Sequence, residues 1–144
     1  MKLKIPIILI LLSIFLAKAI FGSSPIDPIF IGKSYNHTIT TAKKIISEGL
    51  NNIEYNEEIY LYERLGWAYI TGVNLEDPLF NLSASLENFD KAEQLIKKYY
   101  NKESTNQYFF VEFYGSYGIA LLINKSFSSS KEKFLKAYEI SKNI

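Results

Sequence analysis

Residues 114–138 read YGSYGIALLINKSFSSSKEKFLKAY. Gly118 interrupts an otherwise good helical pattern, at a position where glycine costs about 1 kcal/mol relative to alanine. The same situation recurs upstream. Tyr62-x-x-Leu65-Gly66-x-Ala68-Tyr69 matches Tyr114-x-x-Tyr117-Gly118-x-Ala120-Leu121. Further along, Ser85-x-Glu87-x-Phe89-x-Lys91-Ala92-x-x-Leu95 matches Ser130-x-Glu132-x-Phe134-x-Lys136-Ala137-x-x-Ile140. Matching residues at fixed mutual spacing in two consecutive elements indicate a duplicated helical hairpin, a unit that buries its apolar face by stacking. The recurring glycine then has a reason: it is the small residue where the two backbones of a tight hairpin come closest. Phe89 with Ala92 faces it in one copy, and Phe134 with Ala137 in the other.

The rest of the chain agrees with an all-helical reading. From Ser34 onward nothing alternates at period two, whereas several stretches carry apolar residues at helical spacing. The first places Tyr35, Ile39, Ala42, Ile45 and Ile46 on one face, with Gly49 as its C-terminal cap. The second carries Ile59, Tyr62, Leu65, Gly66 and Tyr69 and stops at Gly72. Asp77-Pro78 reads as an N-cap followed by proline in the first turn. The next helix then holds Leu79, Leu82, Leu86, Phe89, Ala92, Leu95, Ile96 and Tyr99. Polar NKESTNQ breaks the pattern, YFFVEFYGSYGIALLIN resumes it and SSSKEKFLKAYEISKNI closes the chain, where Ser129 with Glu132 has the spacing of a capping box. The expected fold is all-α: a short antiparallel helical-hairpin array of about five helices over 34–144, after an N-terminal hydrophobic segment.

These motifs resemble the tetratricopeptide repeat, whose pattern W-x-x-L-G-x-x-Y is followed by a small residue and then F-x-x-A. The spacing of Gly118, Phe134 and Ala137 fits it without a gap; in the first copy Gly66 to Phe89 is seven residues too long, with VNLEDPL as the insertion. The run LGWAYITGV is also similar to the kindred Sel-type repeats. The 52 residues from Gly66 to Gly118 exceed the family's 34-residue period, and neither copy ends in the usual proline. The resemblance covers Glu58–Ile144. It implies a shallow groove lined by the first helix of each hairpin and taking a protein or peptide. On this sequence the groove residues would be Tyr60, Glu63, Trp67, Ile70, Glu112, Ile119 and Leu122, and tryptophan and tyrosine are residue types common at binding hot spots. The alternative for Trp67 is a core role beneath the 34–48 helix.

Residues 1–22, MKLKIPIILILLSIFLAKAIFG, begin with two lysines, continue in an apolar run from Ile5 and reach Ala17-Lys18-Ala19. This is the pattern of a secretory signal peptide. A retained membrane anchor over residues 5–21 is the rival, with Lys18 inside a span of ~17 residues. Either places the remainder outside the cytoplasm. Residues 23–33, with Pro25 and Pro28, read as an extended tether.

Composition narrows the chemistry. The chain has 144 residues, 48% of them apolar, and no cysteine, which excludes disulfides and thiolate metal sites. Removing Lys2, Lys4 and Lys18 from the 16 basic residues leaves 13 against 15 acidic ones, which is no nucleic-acid footprint. The one histidine, His37, has no carboxylate within four positions to orient it and reads as a surface residue. Glu54, Glu57 and Glu58 complement a helix N-terminus rather than form a metal site. No phosphate-binding glycine loop occurs. Three N-x-[ST] sequons begin at Asn36, Asn81 and Asn124; they are acceptor sequences in a glycosylating host, and in a chain rich in asparagine and serine they also arise by composition. The expectation is a non-catalytic interaction module without metal or cofactor. The alternative is a self-associating structural component of a cell envelope.

Overall fold

Helix starts, helix stops and the glycine contacts account for most of the architecture. The computed structural model describes residues 34–50, 55–71, 80–99 and 107–144. Among them are five helices and no strand: α1 (Tyr35–Glu48), α2 (Tyr55–Thr71), α3 (Leu82–Tyr99), α4 (Gln107–Ile123) and α5 (Phe127–Ser141). The all-α expectation holds. The N-terminal segment, the tether, Gly72, Leu79, the Asp77-Pro78 start and Glu54 lie outside the described residues. Among the described residues no helix is long and apolar enough to cross a membrane.

The helices group into two compact units, α1–α3 and α4–α5. In the first, α1 and α3 both pack on α2. Ser34 caps α1, its hydroxyl accepting from the His37 N–H at 3.3 Å, and Gly49 ends it at φ 97, a left-handed value that favours glycine. Thr38, Ile39 and Ala42 form the buried side of α1. Tyr35, expected on that face, stands at the first helical position and is exposed.

α3 begins later than its proline-based expectation. Asn81 is its N-cap, with the side-chain oxygen accepting from Ala84 N–H at 2.9 Å. The Asn81 N–H in turn donates to Tyr69 O at 3.0 Å, which sets the start of α3 beside the end of α2 and makes the pair antiparallel. Asn81 is therefore a cap rather than a helical residue.

In the second unit a three-residue turn joins α4 to α5. Lys125 N–H donates to Leu122 O and Ser126 N–H to Leu121 O, with Lys125 at φ 60. This is the Schellman arrangement, which usually places glycine where Lys125 stands. Left-handed backbone costs an ordinary L-residue about 1–2 kcal/mol. Lys125→Gly should accordingly raise stability by about 1 kcal/mol in urea denaturation, and Lys125→Val should lower it. The capping box expected at Ser129–Glu132 does not form a cap: α5 starts at Phe127, and Ser129 lies inside its first turn, exposed.

Candidate functional site

Each hairpin is built around its glycine, and the two copies make the same three contacts. A Cβ added to Gly66 would stand 2.9 Å from the Phe89 ring, and one added to Gly118 would stand 2.8 Å from the Phe134 ring. The aromatic rings therefore lie directly on helix backbone, which only glycine permits. Ser85 Oγ donates to Gly66 O at 2.6 Å, and Ser130 Oγ donates to Gly118 O at 2.8 Å. A helical carbonyl has a second lone pair, so these serines bond it without opening the helix. Lys91 Nζ lies 5.5 Å from the centroid of the Tyr62 ring, and Lys136 Nζ lies 4.2 Å from that of Tyr114.

The serine contact spans 19 residues in the first hairpin and 12 in the second. The seven extra residues thus fall in the α2–α3 connection and leave the helical register intact. Ser85 and Ser130 are buried, so truncating either removes a buried hydrogen bond. Ser85→Ala and Ser130→Ala should each cost about 0.5–1.5 kcal/mol by chemical denaturation.

In α2, Tyr60, Glu63 and Ile70 are buried. The Arg64 guanidinium explains two of them: it stacks 4.5 Å from the Tyr60 ring centroid, and its Nε lies 3.3 Å from Glu63 Oε2. A charge as deeply buried as Glu63, at 1% exposure, is tolerable only with such partners. Trp67, Glu112 and Ile119 are half-buried, and Leu122 is exposed. Glu112 and Ile119, seven positions apart, share the least buried side of α4, and Trp67 stands at the repeat position equivalent to Ile119. On α4, residues Phe110, Val111, Phe113 to Gly118, Ala120 and Leu121 are all buried, which surrounds most of its circumference.

The exposed apolar side chains lie elsewhere, mainly on the last hairpin. Phe127 is 65% exposed, Leu135 50% and Tyr138 45%, with Leu122 and Ile123 also exposed at the end of α4 and Ile144 at the chain end. Phe127, Leu135 and Tyr138 fall within one side of α5 by helical geometry. Sequence reasoning missed this row because it assigned apolar residues to buried faces. The signal was available in the repeat, since Leu135 and Tyr138 stand where the first copy has Asp90 and Glu93. Lys142 Nζ lies 4.3 Å from the Tyr138 ring centroid, and its hydrogen bond to Glu139 at 3.1 Å raises the Lys142 ammonium above its usual pKa.

The remaining chemistry is sparse. His37 is exposed and its ring lies 3.3 Å from Thr41 Oγ1. Among the described residues no group of three or more histidine or carboxylate side chains is placed to hold a metal. In comparisons with known proteins, no family model, curated protein or solved structure matches the chain.

Proposed function

We propose that this chain is a non-catalytic interaction module, exported or membrane-anchored through its N-terminal segment, that takes a protein or peptide partner on apolar helix surface. The observation that carries this reading is the exposed row Phe127, Leu135 and Tyr138 on α5. The outward face of a surface helix ordinarily carries polar side chains, so an apolar row there has a use other than closing the hairpin's own core. The resemblance to tetratricopeptide repeats supports the same class of function while placing the site differently. Of the residues it nominates, Trp67, Glu112, Ile119 and Leu122 retain accessible surface, and Leu122 adjoins the exposed end of the last hairpin.

The test is capture from an extract of the native host, with the full chain as bait beside Leu135→Lys and Trp67→Ala baits of equal helicity. A partner held through α5 should lose about thirty-fold or more in affinity on Leu135→Lys, the loss typical of a hot-spot residue. Retention by Leu135→Lys with loss on Trp67→Ala would return the site to the groove. Capture unaffected by both substitutions would refute an apolar helix surface as the site.

A further inference from the structure

The exposed row on α5 has a spacing that fits its own reverse. In chain order it reads aromatic Phe127, Lys131, Leu135, aromatic Tyr138, over about 16 Å of helix. Turned end for end, a second copy places Tyr138 opposite Phe127, Leu135 opposite Lys131, and so on through the two-fold. Each aromatic meets an aromatic, and each lysine stem lies along a leucine. The charges agree with this register. Leu135 is flanked by Glu132 three positions before it and Glu139 four after, on adjacent turns. A lysine arriving opposite Leu135 therefore meets carboxylates on either side.

Nothing in the hairpin's own packing requires Leu135 or Tyr138. In the first hairpin the positions of Leu135 and Tyr138 are held by Asp90 and Glu93, and the same glycine, serine and lysine contacts form there. Lys142, now over the Tyr138 ring, is an exposed side chain, and an exposed pair such as Glu139–Lys142 contributes little, so it can give way to an incoming ring.

We infer that α5 pairs antiparallel with α5 of a second copy of this chain, with Phe127 stacked on the partner's Tyr138 and Lys131 against the partner's Leu135 about a two-fold axis. Such a contact is isologous and closes at a dimer. The inference rests on the reading of α5 as an interaction surface and names its occupant.

The chain has no cysteine, so introduced thiols report the register without background. Full-length Lys131→Cys and Leu135→Cys chains, mixed and mildly oxidised, should form the mixed disulfide several-fold faster than either forms with itself. Self-pairing is out of register by about one helical turn. Sedimentation velocity of the full chain should show a concentration-dependent dimer, lost in Phe127→Ser at unchanged far-UV circular dichroism. A full chain that remains monomeric, a dimer that survives Phe127→Ser, or an Asp90→Cys chain that cross-links as fast as the mixed pair would each overturn the inference. A monomer whose host partner is lost on Leu135→Lys would overturn it while leaving the interaction-module reading in place.

Discussion

Replacing Gly66 by alanine should destabilise the chain by about 1–3 kcal/mol, although the same change in an open helix would stabilise it by about 1 kcal/mol. The sign is decided by Phe89. The new methyl would stand 2.9–3.0 Å from three atoms of that ring, well inside contact distance for carbon. Phe89 has no exposed surface, and Ala92 beside it is equally buried. The ring has no room to withdraw except by moving α3 away from α2, and that movement would lengthen the 2.6 Å bond from Ser85 to the Gly66 carbonyl. Gly118→Ala should act in the same direction but less strongly. There the approach is to the outer atoms of the Phe134 ring, and Phe134 keeps 7% of its surface in water. Urea denaturation of both variants checks the order. Stabilisation by either substitution would mean that the ring yields freely and that close packing is not why glycine occupies these positions.

The pairing of each glycine with a phenylalanine and an alanine was legible in the sequence, because the requirement falls on residue types at fixed spacing. A ring can lie on a helix only over a residue without a Cβ, and this restricts the sequence at three positions at once. The seven-residue insertion was legible for the same reason. The structure adds Ser85 and Ser130 as donors to the glycine carbonyls. They were visible as matching letters, but a serine in a helix is equally compatible with solvent, so its role could not be read without the partner backbone. The start of α3 was misplaced because Asp77-Pro78 and Asn81 both satisfy the local chemistry of a helix N-terminus. Only the contact of Asn81 with Tyr69 O chooses between them. The burial of Tyr60, Glu63 and Ile70 was not legible, for a tertiary reason. Helical spacing distinguishes one face from another, yet α2 packs against two neighbours, α1 and α3, and Arg64 lies over the Tyr60 ring. No periodicity records how many sides of a helix are covered.

Phe89→Ala should cost about 3–5 kcal/mol, the largest loss expected from any one substitution in the first unit. Phe89 is fully buried and is the ring on which Gly66 closes. Its removal deletes the transfer free energy of an aromatic side chain and leaves a cavity bounded on one side by bare backbone, which cannot collapse to fill it. Trp67, the one tryptophan in the chain, follows Gly66 directly, so its fluorescence reports unfolding of the unit that holds Phe89. The informative comparison adds Gly66→Ala to the Phe89→Ala chain. With the ring gone, the methyl has space, regains the helix propensity of about 1 kcal/mol and occupies part of the cavity. Gly66→Ala should therefore change sign, from destabilising in the native chain to stabilising in Phe89→Ala. A coupling of about 2 kcal/mol or more between the two sites would follow. If instead the two losses add, glycine and ring act independently, and the duplicated motif owes its spacing to something other than this contact.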